Sequence, residues 1–293
     1  MGKIAPAAPH ALHMPSHIYS MLGMWEDSIR SNLSSKAAAE SHGPSVAHQM
    51  DFLVYAYLQR GEDGRAKELV DSVLPVSVGL GSDTALAAIP ARFALERGQW
   101  DQAAQLRVRN SEFPAARSIS YFARALGAAR SGNAAAARAE IAHLDEIEAK
   151  LAAAKDYYWA GQTRIQKQAA VAWVMFSEGQ RDEAIAAMHK AADLDDASEK
   201  TVAMENKLVP IRELLGELYL AAGLDKEALV ELQASDKVLP NRFRTIAAAA
   251  AASHATGSVE AAKRYYQALT ALAANADGNR PEISEARAYL SQN

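Results

Sequence analysis

The chain has 293 residues, 49% of them hydrophobic and 23% charged, with a formal net charge of −4 and no cysteine. Disulfides, thiolate metal sites and a cysteine nucleophile are therefore excluded, and the mild acidity argues against nucleic acid, which wants a basic stripe. No run of about 18 apolar residues marks a membrane span, and Met1-Gly2-Lys3 lacks the apolar core of a signal peptide, so a cytoplasmic protein is expected, or one whose export leader has been trimmed.

Alanine, leucine, glutamate, lysine and arginine dominate, which is a helical composition. Taken in order, amphipathic stretches predict paired helices over about 9–22 and 25–41, 45–60 and 63–73, 83–97 and 100–107, and 115–131 and 134–153. They continue over 157–178 and 181–193, 207–222 and 225–237, and 241–256 and 259–274, with a last helix near 281–291 opened by Pro281. Between the members of each pair stands a glycine, followed five places on by a small residue. The instances are Gly23/Ser28, Gly61/Ala66, Gly98/Ala103, Gly132/Ala137, Gly179/Ala184, Gly223/Ala228 and Gly257/Ala262. The glycine ends one helix where a positive φ is convenient, and the small residue lets the next helix pack closely. Longer intervals mark insertions: an extended helix pair around Leu151–Gln168, and a loop from Asp195 to Lys207 that carries Asp196, Glu199 and Lys200.

Gly-Gln-Trp-Asp-Gln-Ala at 98–103 and Gly-Gln-Arg-Asp-Glu-Ala at 179–184, in a unit that recurs near 34 residues, resemble the helix A to helix B turn of the tetratricopeptide repeat (TPR) family. The resemblance implies an all-α, right-handed α-solenoid of about seven helix-turn-helix units, one domain over 1–293, with A helices lining a concave groove and a C-terminal capping helix. The first unit begins almost at residue 1 with no polar cap ahead of it, so an N-terminally truncated chain is expected. Ala-Pro-His-Ala-Leu-His-Met-Pro-Ser-His-Ile at 8–18 is also similar to a motif of little-characterised bacterial TPR proteins. Ile-Pro-Ala-Arg-Phe-Ala-Leu-Glu-Arg at 89–97, Arg-Glu-Leu-Leu-Gly-Glu at 212–217 and Pro-Asn-Arg-Phe-Arg at 240–244 add to that likeness. It brings no established activity with it. Its members have more sequence upstream, including further histidines.

The opening motif carries the candidate site. His10, His13 and His17 are spaced by three and four, so a helix stacks them on one face. They precede Gly23 by 13, 10 and 6 residues, which in the TPR pattern are groove-facing positions. The same distances before Gly61 select His48, Asp51 and Tyr55, and six before Gly98 is Arg92. These seven residues form the expected ligand-binding end of the groove, for a peptide or a small anionic ligand. His13, His17, His48 and Asp51 also make a set suited to zinc, or to an open iron or copper site. That set would give a metal-binding protein or a metal-dependent enzyme. Without metal, the same groups are candidates for acid–base work around an anion held by Arg92. Pro15 and Pro90 share one register, eight before their glycines; each either kinks its helix, freeing the Ala11 or Leu86 carbonyl, or starts it.

Other features are weaker. The Gly-rich stretch Ser77 to Thr84 lacks a phosphate-loop lysine, and Ser82 or Asp83 is expected to cap a helix. Arg92, Arg124, Arg164, Arg212, Arg242 and Arg244 would attract acidic ligands, or else form solvated pairs with carboxylates such as Glu96, Glu213 and Glu217. Tyr157, Tyr158, Gln162 and Gln166 offer an aromatic, amide-rich surface, whereas Trp159 and Trp173 are expected in the core. His42, His143, His189 and His254 are expected to be structural or solvated.

Overall fold

The computed structural model describes residues 8–40, 46–76, 79–198 and 207–292. Met1-Gly2-Lys3, His42, Ser77, Val78, Glu199 and Lys200 lie outside the described residues. Sixteen helices and no strand are found among those described, packed largely as consecutive pairs. The chain is all-α.

The turn between paired helices is the same device seven times. Gly23, Gly61, Gly98, Gly132, Gly179, Gly223 and Gly257 all have φ between 63° and 83°. Each glycine N–H donates to the carbonyl three residues back, and the following N–H donates to the carbonyl five back. This closure satisfies the last carbonyls of the first helix. The small residues five places on, from Ser28 to Ala262, are all 0% exposed. A side chain no larger than a hydroxymethyl is what allows each second helix to lie against the first.

The helices form two compact units, residues 1–76 with 219–293, and residues 77–218. The first unit contains α1 (Pro9–His13), α2 (Pro15–Met21), α3 (Trp25–Glu40), α4 (Ala47–Gln59) and α5 (Asp63–Ser72). It also contains α13 (Asp225–Val238), α14 (Phe243–Ala255), α15 (Val259–Leu272) and α16 (Pro281–Gln292). Its central element is α4, in which every residue except His48 is buried. A helix apolar nearly all round has to be surrounded; α3 and α5 supply most of the cover, and distant sequence adds to it across this hairpin pair. Trp25 Nε1 donates to the Asn241 carbonyl (2.6 Å), Phe243 N donates to Gln59 Oε1 (2.8 Å), and the Arg280 guanidinium donates to both Asp63 oxygens. The Asp277 carboxylate accepts from the Gly64 and Arg65 amides at the start of α5, which has no side-chain cap of its own. The capping helix is therefore present, and its Ile283 lies beside Gly61 as well as on the core of the last pair.

The second unit contains α6 (Leu80–Leu95), α7 (Trp100–Ala104), α8 (Pro114–Arg130), α9 (Ala134–Ala153), α10 (Tyr157–Ser177) and α11 (Arg181–Ala197). The division at Leu218/Tyr219 falls within α12 (Ile211–Ala221). First helices pack side by side (α6 on α8, α8 on α10), with α7 and α9 wedged behind. Two local expectations need correction, and the two-way reading of the prolines is resolved. Helix α7 ends at Ala104 rather than 107, because the chain turns there and brings Arg109 and Ser111 back to Asp83. Asp83 and Ser82 do not cap α6, which starts at Leu80; Ser82 donates to the Gly79 carbonyl, and the Asp83 carboxylate is taken by Arg109 and Ser111. The two prolines also differ: Pro90 sits inside the continuous α6, while Pro15 opens α2 and separates it from α1 at Met14.

Candidate metal centre in the first two hairpins

His13 is the last residue of α1 and His17 lies in the first turn of α2, four residues on. Their side chains reach the same side, because the backbone through Met14 keeps right-handed helical angles despite the break. His48, near the start of α4, meets them from the neighbouring hairpin. The ring centres are 4.7 Å (His13 to His17), 4.6 Å (His13 to His48) and 5.5 Å (His17 to His48) apart. Phe52, one turn beyond His48, packs against all three rings at 4.6 to 5.2 Å. One ligand nitrogen of each imidazole lies within 4.8 Å of the others.

The hydrogen bonds assign a tautomer. Asn32 on α3 donates its amide N–H to the Ser28 carbonyl (2.8 Å), which turns Asn32 Oδ1 toward His13. His13 Nδ1 lies 2.6 Å from that oxygen and must donate to it. His13 Nε2 is then a lone pair, and His17 Nε2, at 2.9 Å, donates to it. An amide oxygen that holds one ring nitrogen protonated, so that the other is free to bind, is the usual outer-sphere partner of a metal-bound histidine. Ser16 supports the arrangement, with its hydroxyl 3.3 Å from Asn32 Oδ1. Ser31 and Ser35 donate to the Leu12 and Pro9 carbonyls and so dock α1 on α3. On the third ring, Nδ1 of His48 is buried and has no hydrogen-bond partner.

Electrostatically, burial holds two of the three imidazoles, His13 and His48, in the neutral form. Burial lowers the His13 pKa from 6.5 to about 3; the neighbouring His48 pushes the same way, and the Asn32 bond opposes them. Burial, then His17 and His10, lowers the His48 pKa to about 4. Imidazoles that stay unprotonated at neutral pH present lone pairs to a cation without first losing a proton.

The seven expected site residues separate. His13, His17 and His48 converge, and His10 stands exposed at the rim with its ring centre 6.3 Å from that of His13. Asp51 is fully buried but is not one of the convergent ligands. Tyr55 packs edge-on against Trp25 (5.0 Å), and its hydroxyl accepts from Arg242. Arg92 belongs to the other unit, where it donates to the Lys207 carbonyl (3.0 Å). Equal register puts residues on one helix face but leaves out their rise along the axis. At 1.5 Å per residue, Tyr55 is about 10 Å along the axis from His48. Equal register would also have faced His48 with His10; instead it lies against His13 and His17, so α4 is offset by about one turn. Asn32 escaped sequence reasoning altogether. Its only trace was the polar stripe Ser28, Asn32 and Ser35 on the buried face of α3.

Of the other histidines, His143 stacks on Tyr121 (4.5 Å) and His254 packs on Tyr289 (4.8 Å), as structural residues do. Trp159 and Trp173 are buried. Arg124 and Arg164 hold Glu140 and Glu148, and Arg212 holds Asp196, rather than awaiting a ligand.

No family model matches the chain, and no curated protein does. Solved structures do. A tetratricopeptide repeat protein from Parabacteroides merdae aligns over 97% of both chains at 14% identity, with a TM-score of 0.47. The APC/C hetero-tetramer Cut9–Hcn1 aligns over 93% of this chain and 53% of its own, at 11% identity and a TM-score of 0.37. The TPR-like reading stands on the repeated turn described above.

Proposed function

We propose that the protein is a TPR-like scaffold whose specific feature is a transition-metal site on His13, His17 and His48. The observation that carries this reading is the convergence of three imidazoles, one of which, His48, keeps a buried ring nitrogen without a hydrogen-bond partner. Two imidazoles on one metal, with bonds of about 2.0–2.1 Å at tetrahedral angles, have ring centres about 5 Å apart. The three observed separations of 4.6 to 5.5 Å bracket that value. His13 and His17 would part by roughly half an ångström from their mutual hydrogen bond, to the nitrogen–nitrogen spacing such bond lengths require, and His17 would carry its proton on Nδ1 instead of Nε2. An all-imidazole set without thiolate or carboxylate favours zinc, copper or ferrous iron over magnesium or calcium.

The other readings fare worse on the same geometry. An anion would need charged imidazoles, which burial opposes. Metal-free acid–base catalysis works best with a group that titrates near the working pH, and His13 and His48 titrate far below it. Protein partners belong to the scaffold as a whole and are not specified by this cluster.

Metal analysis of the full chain, purified without a histidine tag and supplied in turn with zinc, copper and iron, tests the proposal. One equivalent is expected per chain, lost in His13→Ala and His48→Ala but kept in Asp51→Ala. Asn32→Ala is expected to weaken binding by ~10–100-fold, the usual effect of losing an outer-sphere partner. Helical circular dichroism checks that the variants fold. No uptake of any of the three ions by the wild-type chain sinks the proposal.

A further inference from the structure

Three imidazoles leave one tetrahedral position, and what fills it decides whether the centre can do chemistry: closed sites hold a metal, while open ones take a water or a substrate. We infer that His10 is the fourth ligand, closing the centre from the solvent side; this rests on the metal reading above.

The surroundings of the three rings limit the choice. Phe52 is apolar, and Asn32 and Ser16 are engaged with His13 Nδ1. His10 lies one turn before His13 on the face that carries His13 and His17. It is exposed, and its ring forms no hydrogen bond among the described residues, so rotating it breaks nothing. Its ring centre, 6.3 Å from that of His13, needs to approach by about 1 Å to reach the spacing of a shared tetrahedral ion. His13 and His17 are buried, whereas His48 is half-buried and His10 exposed, so an ion enters past His10 and is covered by it. The loaded centre then has four nitrogens and no vacant position for a substrate: it keeps or hands on a metal rather than activating water.

Cobalt(II) titrated into the full chain is the test, read by its visible d–d absorption and by competition with a chelator. The wild type is expected to give the intense band of a four-nitrogen tetrahedral site. His10→Ala is expected to give a weaker, shifted band with affinity lowered ~10–100-fold, and added free imidazole restores the wild-type band. An unchanged band and affinity in His10→Ala overturns the fourth-ligand assignment while leaving the three-histidine site in place. Failure of the wild type to take up cobalt as well as zinc, copper and iron overturns both.

Discussion

Two buried polar clusters, one in each unit, are built in opposite ways. Around Asp83 and Arg130, in residues 77–218, buried charge is matched. Asp83 is held by two guanidinium nitrogens of Arg109 (2.9 and 2.6 Å) and by Ser111. Arg130 sits between the rings of Trp100 (3.9 Å) and Trp173 (4.1 Å) while donating to Glu217. In the histidine cluster of the other unit, imidazole rings face each other, and one buried ring nitrogen of His48 has no hydrogen-bond partner. Matched networks of the first kind fix a fold. A partly unsatisfied group of the second kind is not explained by packing, and an orphaned polar atom asks for a functional account.

This contrast can be broken at several points. The largest effect is expected at Asp83: Asp83→Ala strands the Arg109 guanidinium, and removing one partner of a buried pair costs about 3–5 kcal/mol, read as a fall in the denaturant midpoint. Next is acid sensitivity of the metal-free protein. The unfolded chain protonates His13 and His48 below about 6.5 while the folded chain does not until about 3 and 4. The unfolded state therefore binds more protons in that window, and stability must fall as pH drops from 6.5 toward 4, by up to about 1.4 kcal/mol per pH unit for each imidazole. A pH series of urea melts checks this; the slope should shrink in His13→Leu, and a flat profile in the wild type would contradict neutral His13 and His48. Ala66→Leu, at a position with no free space behind the Gly61 turn, is expected to cost about 1–3 kcal/mol by overpacking. Last, Arg138→Ala removes an exposed pair with Glu178 (2.6 Å) and should change stability by only about 0.2–1 kcal/mol.

Much of this architecture could be read from the chain. The turn glycines announced each helix pair, and their small successors announced the tight packing, because both features are local and recur. The face bearing His13 and His17 was legible for the same reason. What could not be read depends on distance and on axial offset. Nothing near Asp63 points to Arg280, or near Trp25 to Asn241, since such pairings join residues more than two hundred apart. The one-turn shift of α4 against α1 and α2 is set by three-dimensional packing, and it removed Asp51 and Tyr55 from the cluster that period alone had assembled. Asp83 was misread because an acidic residue near a helix start is so often a cap, and the arginine that claims it lies 26 residues on, beyond an irregular turn.

Because α14 binds the end of α4 through Gln59 and Arg280 binds Asp63 at the start of α5, the hairpins that carry the imidazoles leave the ribosome well before part of their cover exists. Some 140 residues separate Val76 from Tyr219, so at 5–20 residues per second the wait is roughly 7–30 s. Over that interval the nascent α4 keeps part of its apolar surface in water. The earliest part of this chain to be synthesised is thus among the last to be finished.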